Sequence, residues 1–223
     1  MNNSNIQVIA VDGPSASGKG TVAQLVADAL GFGYLDSGAL YRVVAFAARQ
    51  NKIDWGNAEA VAACARTLDI QFKNEQVYLN GQDISENIRT EEMGKGASQV
   101  AVHAPLRAAL VDLQHHFRQA PGLVADGRDM GTVIFPDAQL KVFLTASTEV
   151  RAQRRYQQLL SKNQPANYEK ILLDLQERDA RDKGRSSAPL MMAQDAILLE
   201  TDNLGISEAV NIVLQNFQHK IHK

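Results

Sequence analysis

The sequence predicts an α/β fold, a parallel core sheet flanked by helices, on three observations. The apolar run Gln7 to Val11 leads through Asp12 into a glycine-rich loop and then into helix-spaced apolar residues, an order that opens a parallel sheet. Two short strand-like runs in the middle of the chain, Ile70 to Lys73 and Gln76 to Leu79, break that α/β rhythm and read as an antiparallel insert. A long, highly charged helical stretch from Thr148 to about Arg185 then precedes the last strand and reads as a lid.

The elements follow in order. Val22, Leu25, Val26, Ala29 and Leu30 recur at helical spacing from Thr21, and Gly31 supplies the stop. Phe32 to Leu35 is a second strand, followed by a helix from about Ala39 to Gln50 and another near Ala58 to Leu68. Asn74-Glu75 and Asn80-Gly81 are the turns of the inserted meander. Helices resume from Thr90 to Val102 and from Pro105, suited to a first helical position, to Ala120. Pro121-Gly122 turns the chain into the strand Leu123 to Asp126, and Leu140 to Leu144 gives another. The charged stretch breaks near Asn163 to Asn167. Ala196 to Glu200 is the last strand and Ser207 to Phe217 a closing amphipathic helix.

With 223 residues, 45% hydrophobic and 22% charged, the chain has material for one core with an insertion. Lys plus Arg (23) nearly balance Asp plus Glu (25), which argues against a nucleic-acid footprint, so any anionic ligand must be gripped by locally placed cations. A single cysteine, Cys64, permits no internal disulfide and fits a reducing compartment; it reads as a small buried thiol. There is no secretion signal at Met1 to Asn5 and no run near the ~20 apolar residues a membrane span needs, so the expected location is cytoplasmic, with no membrane partner. The five histidines, His103, His115, His116, His219 and His222, show no zinc-ligand spacing, and Trp55 reads as a packing residue of the insert.

The most informative stretch is Gly13-Pro14-Ser15-Ala16-Ser17-Gly18-Lys19-Gly20-Thr21. Its glycines let backbone N–H groups turn inward onto phosphate oxygens, and the following helix adds its positive end. Lys19 would reach the β- and γ-phosphates of ATP, and a loop hydroxyl, Ser17 or Thr21, would ligate Mg²⁺. The expected architecture is therefore a P-loop NTPase-type three-layer sandwich. Asn51-Lys52-Ile53-Asp54 matches the N-K-x-D motif by which GTPases read guanine, but it ends a helix about thirty residues past the loop and is read as chance. The Gly-Lys-Gly-Thr ending of the loop resembles the nucleoside-monophosphate kinases instead.

Further constellations narrow that resemblance. Asp36-Ser37-Gly38-Ala39-Leu40-Tyr41-Arg42, Ala97-Ser98-Gln99-Val100 with Arg107, Asp126-Gly127-Arg128-Asp129-Met130-Gly131-Thr132, and Arg178-Asp179-Ala180-Arg181-Asp182-Lys183-Gly184-Arg185 look like the bacterial cytidylate kinase family, in its longer form with an insert. The resemblance implies transfer of phosphate from ATP to CMP or dCMP. It places Arg42, Arg128 and Arg185 on phosphate, Asp129 and Arg107 on the base with help from Ser98 and Ser37, and Arg178 and Asp182 at the ribose. The catalytic residues it implies are Lys19, Arg128 and Arg185.

The chemistry agrees with those assignments. A nucleotide monophosphate carries about two negative charges, which arginine forks match bidentately. Cytosine offers an amino donor at N4 and acceptors at N3 and O2, so a carboxylate and an arginine pair with it, whereas uracil would turn a carbonyl toward the carboxylate. Asp126, at a strand end, either orients metal-bound water or serves structure. The expected partition is a core of about 1–56, 85–150 and 190–223, a nucleotide-binding insert of about 57–84 with its adjoining helix to about 102, and a lid of about 151–188. A monomer is expected. The rival readings are a broader UMP/CMP kinase and a non-catalytic P-loop nucleotide-binding protein. The three acceptor arginines argue against the second, since a switch protein needs no second phosphate grip. Arg178, Arg181, Asp182 and Arg185, at i, i+3, i+4 and i+7, are expected to form one charged helical stripe.

Overall fold

The computed structural model describes residues 6–73 and 76–221, so the expected Asn74-Glu75 turn and His222 lie outside the described residues. The strands are β1 Gln7–Asp12, β2 Gly33–Asp36, β3 Ile70–Lys73, β4 Gln76–Leu79, β5 Gln82–Asp83, β6 Gly122–Gly127, β7 Leu140–Thr145 and β8 Ile197–Glu200. The first helices are α1 Lys19–Leu30, α2 Ser37–Gln50, α3 Ala58–Ala65, α4 Ser85–Ile88 and α5 Glu91–Val100. They are followed by α6 Ala104–His116, α7 Thr148–Ser161, α8 Tyr168–Lys183 and α9 Ile206–Ile221. The chain divides into two compact units, Asp36–His116 and the remainder.

The larger unit is built on a five-stranded sheet of order β2-β6-β1-β7-β8, with β1 paired in parallel to β6 and β7, and β7 to β8. A parallel core sheet is what the sequence predicts; the strand order comes from the structure. Strand β1 is buried on both faces, since Val8 to Val11 are all fully enclosed. A parallel strand covered on both sides reads as an unbroken apolar run, which is why Gln7 to Val11 shows no alternation. On one face, Val22, Ala23, Val26 and Ala27 of α1 and Ala209, Val213 and Phe217 of α9 pack against Ile9, Val11, Val124, Val142 and Leu144. Each larger aliphatic side chain so enclosed contributes about 1.5–3 kcal/mol. Gly31, at φ 66, ends α1 where the expected stop falls, its N–H donating to Ala27 and Asp28 carbonyls.

In the smaller unit, β3, β4 and β5 form an antiparallel sheet, with β4 central. Ala39, Val43 and Ala47 of α2 pack on Val77, Leu79, Ile84 and Ile88, with Cys64 half-buried at the rim of this cluster. Trp55 is a packing residue: its indole N–H donates to the Ala45 carbonyl at 2.9 Å, and its ring fills the space above Gly96. The Asn51–Asp54 stretch is turn chemistry. Asn51 Nδ2 donates to the Ala47 carbonyl at the end of α2, Lys52 takes φ 57, and Asp54 accepts from the Gly56 N–H.

Some boundaries differ from expectation. Helix α1 begins at Lys19 rather than Thr21, and α6 begins at Ala104, which puts Pro105 one residue inside. Helix α6 stops at His116 instead of Ala120, because Arg118 turns away to donate to the Ile6 carbonyl and to Asp137. A five-residue π-helical turn, Met130–Ile134, has no signature in the local sequence.

Candidate active site

The phosphate loop runs from the end of β1 to the first turn of α1 at the point where the sheet order reverses direction, the usual site of ligand binding in such sheets. Gly13 is dictated by crowding: a Cβ there would stand 1.9 Å from the Leu144 carbonyl oxygen of β7. Ala16 and Gly18 take φ 60 and 91, so successive N–H groups curl rather than extend. Pro14 and Ser15 are buried beneath the turn. Lys19 Nζ stands 3.7 Å from Asp126 Oδ1 at the end of β6, and Tyr34 donates to the other oxygen of that carboxylate at 3.4 Å. The same carboxylate explains Gly20, because a Cβ there would meet Asp126 Oδ2 at 2.9 Å. Of the two loop hydroxyls, Thr21 is exposed, whereas Ser17 Oγ is buried with no hydrogen-bond partner among the described residues.

Two arginines of α7 hold this loop from outside, and neither was expected from sequence. Arg151 donates to the Ser15 carbonyl at 3.1 Å, to the Ala146 carbonyl at 2.9 Å and to both oxygens of Asp179 on α8. Arg154 donates to the Ser17 carbonyl at 3.3 Å and to the Thr201 hydroxyl at 3.0 Å. The segment expected as a lid is therefore anchored on the phosphate loop through side-chain contacts to its backbone.

Arg128, after β6, donates through Nη2 to Ser15 Oγ at 2.7 Å and through Nε to Asp182 Oδ2 at 2.9 Å. Asp182 also accepts from Arg185. Burial alone would raise the Asp182 carboxyl, but the charges of Arg128, Arg185 and Arg178 outweigh it and hold it at about 2. Three predicted arginines are thus brought together around one predicted, buried carboxylate. The expected helical stripe needs correction in two places. Arg181 points away into an exposed pairing with Glu177, and Arg185 lies past the end of α8, reaching Asp182 from the loop beyond Gly184. Helical spacing does not extend through that terminus.

Asp129 is buried at the start of the π-helical turn. The two residues after it are held by Asp12, at the end of β1, whose oxygens accept from the Met130 and Gly131 N–H groups, each at 2.8 Å. Burial pushes the Asp12 carboxyl up to about 7; its two backbone bonds oppose this, and Asp129 and Asp126 reinforce it.

In the smaller unit, Ser37 opens α2 behind the cap made by Asp36 and donates to Gln114 at 2.8 Å. Arg42, one turn later, donates to the carbonyls of Ile88 and Thr90 at 3.0 and 3.3 Å, and its guanidinium lies over Gly94. Ser98 and Arg107 are both buried; Arg107 donates to the Ala101 carbonyl at 3.4 Å and stands 5.8 Å over the Tyr41 ring. No group of three or more metal-ligating side chains occurs among the described residues, and no helix among them is long and apolar enough to cross a membrane.

With this geometry in place, comparison with known proteins adds a family. The cytidylate kinase family model matches residues 9–219. The chain is 57% identical over 212 residues to a cytidylate kinase of Cupriavidus necator, covering 95% of this chain and 96% of the relative. It is 56% identical over 218 residues to one from Polynucleobacter asymbioticus, covering 98% and 99%. A solved structure of an uncharacterized protein from Eubacterium ventriosum, only 10% identical, superposes with a TM-score of 0.52 over 95% of this chain and 98% of that one, a likeness of fold alone.

Proposed function

The chain belongs to the cytidylate kinase family, and from that premise we propose that it transfers the γ-phosphoryl group of ATP to CMP, and to dCMP, giving the diphosphate. The single observation that carries this reading is the meeting of a phosphate loop with an arginine cluster: Arg128 bonds at once to Ser15 of the loop and to Asp182, which also holds Arg185.

In this reading, residues 13–21 cradle the donor. The N–H groups of Ser15 to Thr21, at the start of α1, face its phosphates, and Lys19 balances the charge that gathers on the β–γ bridging oxygen as that bond breaks. An oxygen of the CMP phosphate forms the new bond to phosphorus, and ADP departs with the bridging oxygen. The acceptor is already an anion, so no protein base is required. Arg128 and Arg185 draw the two negatively charged groups together and stabilise the charge of the transferring phosphoryl. Mg²⁺ would supply further neutralisation across the phosphates. The buried hydroxyl of Ser17, without a hydrogen-bond partner among the described residues, would suit it better than exposed Thr21, and Asp126 would orient its water.

For the acceptor, Asp129 accepts from the cytosine amino group, and Arg107, with Ser98 and Ser37, donates to its ring acceptors. Arg42 grips phosphate, and Asp182 and Arg178 face the ribose. The smaller sheet and its helices act as the acceptor-binding insert, and α7 with α8, about 151–188, as the lid. A monomer free in the cytoplasm is consistent with these roles. The test is selectivity: the Asp129→Ala protein should lose CMP affinity far more than ATP affinity and narrow its preference for CMP over UMP. Unchanged CMP/UMP discrimination would place base reading elsewhere.

A further inference from the structure

Asp12 has no place in the mechanism above, yet it is a buried carboxylate at the junction of the phosphate loop and the acceptor segment. It ends β1 immediately before Gly13, is buried, and spends both oxygens on consecutive backbone N–H groups, those of Met130 and Gly131. Those are the two residues that follow Asp129. They begin the π-helical turn in which the Ile134 and Phe135 N–H groups bond back to the Asp129 and Met130 carbonyls. Both N–H groups spend their bond on this one carboxylate, so Asp12 ties the segment that follows Arg128 and Asp129 to the end of β1. Asp129 itself takes φ −149 and ψ 24, outside the helical and extended wells, a conformation that must be imposed by what flanks it.

We infer that Asp12 is a positioning residue for acceptor choice: by clamping the Met130 and Gly131 amides, it sets the aim of Asp129 at the base and of Arg128 at the phosphate. The same strand end carries the phosphate loop, so the clamp fixes donor cradle and base reader to one rigid strand. A bidentate carboxylate is suited to this. Two adjacent N–H donors need two acceptor oxygens, and an amide in its place offers one oxygen and turns an N–H against the second donor. The inference rests on the reading of Asp129 as the base-reading carboxylate.

The experiment compares Asp12→Asn with Asp129→Ala in steady-state kinetics on CMP, UMP and ATP. Asp12→Asn is expected to raise KM for CMP at least tenfold and to shrink the CMP/UMP ratio of kcat/KM at least fivefold. KM for ATP should stay within threefold. A purely structural role would reduce the folded fraction and leave the ratio unmoved, so an unchanged ratio and KM for CMP overturn the inference. If Asp129→Ala changes the ratio and Asp12→Asn does not, the positioning role alone falls; if neither does, the base-reading assignment falls with it. Should Asp12→Asn fail to fold, hydrogen exchange on the unsubstituted, ligand-free protein decides. The Met130 and Gly131 amides are expected to exchange at least a hundredfold more slowly than an open loop, and exchange at loop rates rules the clamp out.

Discussion

Asp182 and Arg128 form a buried ion pair, Oδ2 to Nε at 2.9 Å. The carboxylate side chain is 2% exposed and also accepts from Arg185, so it neutralises two guanidinium groups that would otherwise repel each other. Such a carboxylate fixes both guanidinium groups in one place. Because the Asp182 carboxyl is held at about 2, below its ordinary 3.8, it contributes stability that is present above about pH 4 and is lost as pH falls toward 2. A shift of this size corresponds to about 2 kcal/mol. Asp182→Asn should therefore destabilise the protein by about 2 kcal/mol or more at pH 7 in urea unfolding, with the difference shrinking below pH 4. A difference independent of pH would mean that the charge of Asp182 is not what stabilises the cluster.

Lys19→Ala should leave a folded protein whose turnover falls at least a hundredfold, about 2.7 kcal/mol of transition-state stabilisation. The position of Lys19 at the first turn of α1, facing Asp126, motivates this. Near-normal kcat in a protein with an unchanged melting curve would remove Lys19 from the chemistry.

Gly13→Ala should be among the most damaging single-methyl changes in the chain. The added carbon meets a backbone carbonyl of a central strand at 1.9 Å, which no side-chain rotation relieves. Overpacking of this kind costs about 1–3 kcal/mol and at times more. A drop in melting temperature together with a raised KM for ATP is expected. A variant as stable and as tight for ATP as the parent contradicts the described loop.

The lid assignment predicts a kinetic and a dynamic signature. Arg185→Ala should lower CMP-dependent turnover at least tenfold, about 1.4 kcal/mol, without unfolding the protein. Hydrogen exchange over residues 151–188 should slow most when an ATP analogue and CMP are both present. Exchange that ignores both ligands, with normal turnover in the variant, would leave these arginines as structural.

The phosphate loop was legible because its information is local: strand, glycines, lysine and helix follow one another within about fifteen residues. The antiparallel insert was readable for the same reason, from two short strands and Asn80-Gly81. What escaped is non-local. Arg151 and Arg154 reach loop carbonyls 136 and 137 residues away, and Asp12 binds amides 118 and 119 residues away. In the sequence, Arg151 and Arg154 are ordinary polar positions of a charged helix, and Asp12 reads as the end of an apolar run. Arg185 shows the converse error. Its spacing from Asp182 is helical, but the helix ends at Lys183, so the contact is made from a loop. Gly20 is a middle case: the Gly-Lys-Gly-Thr ending was visible, and only the Asp126 carboxylate beside Gly20 gives a reason for the glycine.

The central claim is that this chain phosphorylates CMP, and its most direct test is ADP release with Mg-ATP across CMP, dCMP, UMP, AMP and GMP at equal concentration. The account predicts CMP and dCMP at the top, UMP at least tenfold lower in kcat/KM, and both purine monophosphates near background. UMP or AMP turned over as well as CMP would contradict the assignment of Asp129 and Arg107 as readers of cytosine, and no ADP with any acceptor would contradict the kinase itself.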